Sequence, residues 1–425
     1  MLDRLLTKPR LARDPRMQSI ILIVFGLTYL GMALGRVPGL KLDRTGIALL
    51  GVVVLLATGA VPAGSVGKSV DLPTLMLLFA LMIVSAQFAA AGFYDWMAHR
   101  LAAAPGSSLR LLALVIAVTG LLSAILANDI IAFAVAPVLA DGIRRRGLDP
   151  RPFLIGLAGA CNAGSAMTVI GNPQNILIGQ VGHLDFWRYI AACAPAGLIA
   201  LAIVFAVVAL AWRRVLAATP AVAHETAPAL DRWQAAKGVA ALLALVILFA
   251  TPLPRDVGAL VIAAALLASR RLSSRDLIGT VDWHLLLLFA CLFVATGAFA
   301  GLPLASDAMG WLAHHGFLPD RLAVMAPLLA VASNLIGNVP AVMLILSLWH
   351  QAPEGAFYGL AVLSTLAGNL LIVGSLANII VAERAALAGV RLGFGAHARA
   401  GIPITILSMA AAVAWLAATG RMAML

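Results

Sequence analysis

Long apolar runs separated by short charged loops cover almost the whole chain, and the runs are of three kinds. Uniform runs near 20–34, 45–62, 72–91 and 188–212, and again near 235–252, 256–269, 282–300 and 401–420, read as helices that cross a membrane. Two runs, 109–141 and 322–349, have apolar arms around a polar tip, Ala127-Asn128-Asp129 and Gly337-Asn338-Val339-Pro340, and read as re-entrant hairpins. Two more, 152–180 and 357–382, read as interrupted spans. The first of these contains GACNAGSAMTVIGNPQNILIG, Gly159 to Gly179, where a uniform span would hold Leu and Val. Gly171, Asn172 and Pro173 in a row lower helix stability, because Gly gains freedom on unfolding and Pro loses an N–H and clashes one turn back. Non-helical backbone at membrane depth survives only where protein buries it or it lines a cavity. The stretch therefore predicts a broken helix whose freed carbonyls, amides and side chains form a binding site.

The second interrupted run carries LAGNLLIVGSLANII, Leu366 to Ile380, and repeats the first: an offset of 203 relates Gly171 to Gly374 and Asn175 to Asn378. Upstream, an offset of 210 relates Phe79-Ala80 to Phe289-Ala290, Ser123 to Ser333 and Asn128 to Asn338, and one of 211 relates Val70-Asp71 to Val281-Asp282. A collinear series with small drift is a tandem repeat of one membrane unit, and paired interrupted segments point to a transporter site. The expected fold is an all-α polytopic membrane protein of two repeats, each with five transmembrane helices and one re-entrant hairpin, with broken helices at the midplane. An odd number of crossings inverts the second repeat relative to the first. The expected boundaries are a basic N-terminal tail at 1–16, a first repeat at 17–213, a linker at 214–233 and a second repeat at 234–425.

Composition agrees: 62% of the 425 residues are hydrophobic and 11% charged, which excludes a soluble enzyme. The net charge of +11 does not point to nucleic acid, because Lys and Arg cluster in loops as the positive-inside rule expects. With the first hairpin opening to the cytoplasm, cytoplasmic loops hold 19 Lys and Arg against 5 opposite. The remaining five, Arg4, Lys8, Arg10, Arg13 and Arg16, lie in the tail, which this orientation places outside. A start at Met17 would remove all five, and mass spectrometry of the native N-terminus tests that. A basic start before an apolar run also fits a signal peptide; a retained span is favoured because 239–250 is apolar and opens the second unit in the same way. Cys161, Cys193 and Cys291 show no metal spacing and read as buried reduced thiols.

Of 18 acidic residues, only Asp129 lies well inside an apolar stretch. A carboxylate there costs roughly 2.5–3.5 kcal/mol on insertion scales, so it reads as a Na⁺ or H⁺ coupling group, or as a cap on the second hairpin arm. Asn128 and Asn338 at the tips, with Asn172, Asn175, Asn369 and Asn378 in the broken spans, bring amides to one depth. Oxygen ligands suit hard cations and half-helix N-termini suit anions. Ser123, Ser165, Thr168, Ser333, Asn334 and Ser375 add polar groups, with interhelical hydrogen bonding as the alternative for each. Glu383 reads as an interface residue meeting Arg384 or a loop, and the eight His fall in loops or near span ends.

The segments LANDIIAFAVAPVL, TVIGNPQNILIG, SNLIGNVPAVMLI and AGNLLIVGSLANIIVAE together resemble the ion transporter superfamily. Within it they are most similar to the citrate-transporter-like and arsenite-permease branch, with sodium/proton antiporters and divalent-anion/sodium symporters more distant. The resemblance implies two inverted repeats, a homodimer of scaffold and transport domains, and elevator-type movement. It also implies cation sites at Asn128 with Gly171 and at Asn338 with Gly374, and substrate between the tips. The dicarboxylate symporters carry Ser-Asn-Thr at both tips, which this chain does not; its Asn-Asp is more like the arsenite and antiporter relatives. The expected function is a multi-pass inner-membrane secondary transporter moving a small anion coupled to Na⁺ or H⁺, with no other cofactor. The alternative is sodium/proton antiport. A membrane-embedded enzyme would need a nucleophile with its base or a metal set, and Asp129 has no partner His; a passive channel would show flux without saturation.

Overall fold

The computed structural model describes residues 14–35, 39–219, 221, 227–349 and 352–424. Arg4, Lys8, Arg10 and Arg13 of the tail, Arg36, and 222–226 of the linker lie outside the described residues. The described chain is all helical. Its first half runs α1 (Pro15–Leu34), α2 (Arg44–Ala57), α3 (Val66–Ser69), α4 (Leu72–Ala90), α5 (Phe93–Ala102), α6 (Ser108–Ile125), α7 (Asn128–Arg145), α8 (Arg151–Ser165), α9 (Pro173–Val181) and α10 (Phe186–Ala211). After α11 (Arg213–Leu216) the same order returns: α12 (Arg232–Phe249), α13 (Arg255–Leu267), α14 (Ser274–Gly279), α15 (Trp283–Ala300), α16 (Pro303–His314), α17 (Leu322–Ile336), α18 (Asn338–Leu348), α19 (Glu354–Ala367), α20 (Leu376–Leu387) and α21 (Phe394–Ala418).

Helix caps explain part of the repeat. Asp71 and Asp282 are N-caps of α4 and α15, accepting from Thr74 N at 3.1 Å and Leu285 N at 2.9 Å, so the recurring Val-Asp pair marks one helix start in both halves. α2 is shorter than the sequence pattern suggests, and α13 is as short as its apolar run. At 14 and 13 residues they are about 20 Å long, short of about 30 Å of hydrocarbon. α2 stops because the chain turns at Thr58 and Gly59, the latter at φ 73°, although the apolar run continues. Among the described residues, six helices, α1, α4, α10, α12, α15 and α21, are long and apolar enough to cross alone.

The two halves exchange equivalent contacts. α4 packs on α12 and α13, as α15 packs on α1 and α2; α7 lies against α20, as α18 lies against α9; α10 and α21 meet each other. The broken helices consequently sit at the centre. From Pro152 to Gly179 every residue is buried, and α19 is buried from Ala356 onward. The linker is tied to the first half by Arg146, whose guanidinium donates to Ala102 O, Ala104 O and Ala221 O, and by Asp231 N donating to Ala91 O.

Candidate functional site

Each broken helix is closed by the same device. At the first break, Asn175 Nδ2 donates to Ser165 O at 3.0 Å and Thr168 O at 3.4 Å, ten and seven residues upstream. At the second, Asn378 Nδ2 donates to Gly368 O at 2.8 Å and Leu371 O at 3.1 Å, again ten and seven upstream. Ser165 O and Gly368 O are left without helical partners when α8 and α19 end, and the amides reclaim them; Thr168 O and Leu371 O are shared with the backbone N–H of Gly171 and Gly374. Asn172 caps α9, its Oδ1 accepting from Asn175 N at 2.9 Å. Gly171 and Gly374 are where the returning chain comes closest to the helix it left. A Cβ on Gly171 would run into the Ser165 backbone, and one on Gly374 into the Asn334 side chain.

The breaks are also bonded across the repeat. Asn162 in α8 donates Nδ2 to Asn369 Oδ1 at 2.8 Å and Asn378 Oδ1 at 3.1 Å, and its Oδ1 accepts from Ser375 Oγ at 2.8 Å. Its repeat counterpart by the same offset of 203 is Thr365 in α19. Thr365 Oγ1 accepts from Asn172 Nδ2 at 3.2 Å and Gln174 Nε2 at 3.3 Å. Each half's intact arm thus holds the other half's break. Ser165 Oγ accepts from Asn172 Nδ2 at 3.0 Å, and the Thr168 hydroxyl donates to Ala124 O of the first hairpin. Asn334 Nδ2 donates to Ala367 O at 2.9 Å from the second hairpin. His397 in α21 lies with Nε2 3.1 Å from Asn369 O.

The hairpin tips begin α7 and α18 and differ in detail. The first turns through Ala127, with Asn128 buried and its Oδ1 without a hydrogen-bond partner. Asp129 lies in the first turn of α7 but makes no capping bond, so it does not act as the arm's cap. The second tip turns at Gly337, φ 93°, a conformation that L side chains rarely adopt. One side-chain position of Asn338 stands 2.8 Å from Gly374 O and 3.3 Å from Ser364 O. Nδ2 takes that position and donates to both carbonyls. Ser333 Oγ and Asn334 Oδ1 are buried without partners nearby, and Ser123 faces the Cys161 thiol. All three cysteines are free and buried.

Both tips and both breaks open onto one cavity of about 670 Å³. Asn128, Asp129, Pro173 and Gln174 line it from the first half's tip and break, and Gly337 to Pro340 with Ile372, Val373, Ser375 and Leu376 from the second's. Asp43, Arg44 and Thr45 at the start of α2, Asp282 and His284 at the start of α15, and Glu383 on α20 complete it. Of the residues singled out by sequence, Asn128, Asp129, Asn338 and Ser375 line the cavity. Ser123, Ser165, Thr168, Gly171, Asn172, Asn175, Ser333, Asn334, Asn369, Gly374 and Asn378 stand outside its lining. All of these except Asn334, which is partly buried, are buried. Glu383 faces the cavity, while Arg384 stacks over Phe133 of α7 at 3.9 Å. Asn162, Thr365, Gln174, Arg44 and Asp282 carried no sequence signal as site residues: two lie in helix arms, one beside the break, and two at helix starts that look like ordinary loop ends.

Two hairpin tips and two hydrogen-bonded breaks around one cavity narrow the field, and comparison with known proteins settles the family. A family model described as citrate transporter matches residues 20–357. The chain belongs to the citrate transporter family. Among its relatives, a 46 kDa membrane protein of Mycobacterium leprae is 29% identical, over 93% of this chain and 97% of that one. The silicon efflux transporter LSI3 of Oryza sativa subsp. japonica is 26% identical over 91% and 94%. The inner membrane protein YbiR of Escherichia coli is 30% identical over 75% and 81%. In fold, the chain resembles the YdaH transporter of Alcanivorax borkumensis, with a TM-score of 0.57 and 16% identity over 95% of this chain and 97% of that one. This citrate transporter family member is therefore a multi-pass membrane transporter.

Proposed function

We propose that the chain is an inner-membrane secondary transporter that moves a small anion, coupled to Na⁺ or H⁺, by alternating access. The observation that carries this reading is the convergence of both tips and both breaks on one cavity. Among the described residues, six helix N-termini start at its wall; those of α9, α18 and α20 have no acid in the first turn, whereas α7 carries Asp129 and α2 and α15 are capped by Asp43 and Asp282. The unpaired N–H groups and dipoles of α9, α18 and α20 favour an anion. The coupling-ion reading rests on oxygens. Asn128 Oδ1 at the first tip and Asn334 Oδ1 beside the second lie buried and unpartnered. These amide oxygens suit a monovalent hard cation carried as a co-substrate.

In this reading the hairpins and broken helices, bonded into one body, travel against α1, α2, α4, α12, α13 and α15 as an elevator, in an inverted-repeat homodimer. Sodium/proton antiport is the second reading, favoured by Asp129 and Asp282, two carboxylates facing the same cavity. Thermal stability of the purified protein against citrate, phosphate, sulfate and acetate, with and without Na⁺ at two pH values, separates them. A ligand specific to the folded state raises stability in proportion to RT ln(1 + [L]/Kd). Stabilisation by one anion that depends on Na⁺ or pH supports coupled anion transport. Stabilisation by Na⁺ and pH alone, whatever the anion, replaces it with antiport.

A further inference from the structure

Arg44 is a cation set into the cavity wall without a protein partner. It opens α2, whose start is fixed on both sides. Asp43 accepts from Gly46 N at 2.8 Å, and Thr45 Oγ1 donates to His284 O at 3.2 Å, locking α2 against α15. The guanidinium is partly buried, yet among the described residues it forms no hydrogen bond and no ion pair. Other arginines, from the buried Arg146 to the exposed Arg144, are engaged. Arg146 donates to three carbonyls, Arg144 to Ala388 O at 2.8 Å, Arg255 to Leu184 O at 2.7 Å, and Arg384 stacks on Phe133. A guanidinium partly withdrawn from water, with five N–H donors and no protein group to bind, is better satisfied by an anion.

The neighbourhood fits that ligand. Arg44 Nη1 lies 3.7 Å from where a Cβ on Gly337 would stand, so the tip glycine leaves open the space beside the guanidinium. The N-terminus of α18 begins at the next residue, Asn338, and faces the same space. Asp43 and Asp282 cap their own helices and, at the cavity wall, add their negative charge to it. Asp129 and Glu383 line the cavity as well, and disfavour a second full negative charge near them.

We propose that Arg44 reads the substrate: its guanidinium, presented from α2 against the second hairpin tip, takes a singly charged carboxylate or other oxyanion group in bidentate fashion. The inference rests on the anion reading above and names the residue that recognises the charge. It is tested with citrate, phosphate, sulfate and acetate as sodium salts against sodium chloride at equal sodium. The anion giving the largest thermal shift is carried forward. Arg44→Gln is expected to weaken its apparent affinity at least tenfold with the unliganded melting temperature kept, and Arg44→Lys to give an intermediate loss.

Phenylglyoxal modification of wild-type Arg44, mapped by peptide mass spectrometry, supplies a reading that needs no variant: the same anion is expected to slow it severalfold. A wild-type protein stabilised by an anion, with Arg44→Gln binding it equally well or with Arg44 modified at an unchanged rate, overturns the role of Arg44 alone. A wild-type protein stabilised by none of the four overturns the anion reading and this inference with it.

Discussion

Asp129 and the two stapling asparagines show how differently polar residues at one depth can be employed. Asp129 lines the cavity and its carboxylate has no bond that Asn could not replace, so Asp129→Asn should fold normally and lose or uncouple transport. Wild-type coupled flux in proteoliposomes would remove the carboxylate from the mechanism. Asn175 and Asn378 are committed to the backbone instead. Replacing either with Ala strands one carbonyl, Ser165 O or Gly368 O, at roughly 1–3 kcal/mol for a buried acceptor left unpaired, while Thr168 O and Leu371 O keep the backbone N–H of Gly171 and Gly374. Each variant should therefore show a lower melting temperature as well as the weaker ligand affinity expected of a site residue. Asn175 Oδ1, buried and unpartnered, is the one atom of the two side chains left for a ligand, whereas Asn378 Oδ1 already accepts from Asn162. The affinity loss should be larger for Asn175→Ala, and equal losses would argue that both act only through the fold.

At the scale of elements, the hairpins and broken helices were legible in the sequence because Gly, Asn and Pro inside an apolar run have few other reasons to be there. Gly337 is such a signal with a cause: at φ 93° and ψ 156°, a region nearly confined to Gly, an alanine is strained by about 1–3 kcal/mol, so Gly337→Ala should lower stability and distort the tip. Gly171→Ala is harsher, since the new Cβ meets backbone that cannot swing aside; detergent-stable protein should be lost, and a variant that purifies with wild-type melting would show that the break can open. What the sequence hid has a common origin. Asn162 and Thr365 sit in intact helix arms, where a single Asn or Thr is ordinarily a local bond, and only the fold brings them to the opposite break. Arg44 and Asp282 sit at helix starts, where a charged residue looks the same whether it faces water or a cavity. The short α2 was hidden in the same way, because hydrophobicity continues past the Gly59 turn that ends it.

For the whole molecule, charge and cavity together fix a direction. The segments that line the cavity beyond the tips are the α1–α2 connection with Asp43 to Thr45, the start of α15 at Asp282 and His284, and α20 out to Glu383. Each adjoins a loop on the arginine-rich side: Lys41 and Arg44, then Arg270, Arg271 and Arg275, then Arg384 and Arg391. The cavity is thus expected to open to the cytoplasm. Its opposite reference is His314, exposed at the end of α16 between α15 and the second hairpin, on the side poor in Lys and Arg. The three native cysteines are buried and should stay silent to a membrane-impermeant maleimide, so single introduced cysteines report cleanly. Glu383→Cys should label in inside-out vesicles and not in right-side-out ones, and His314→Cys the reverse. If both sites swap sides, the charge bias has been read upside down. If His314→Cys behaves as expected but Glu383→Cys labels from outside, the orientation stands and the cavity opens outward instead, because Glu383 then reaches solvent through the far face.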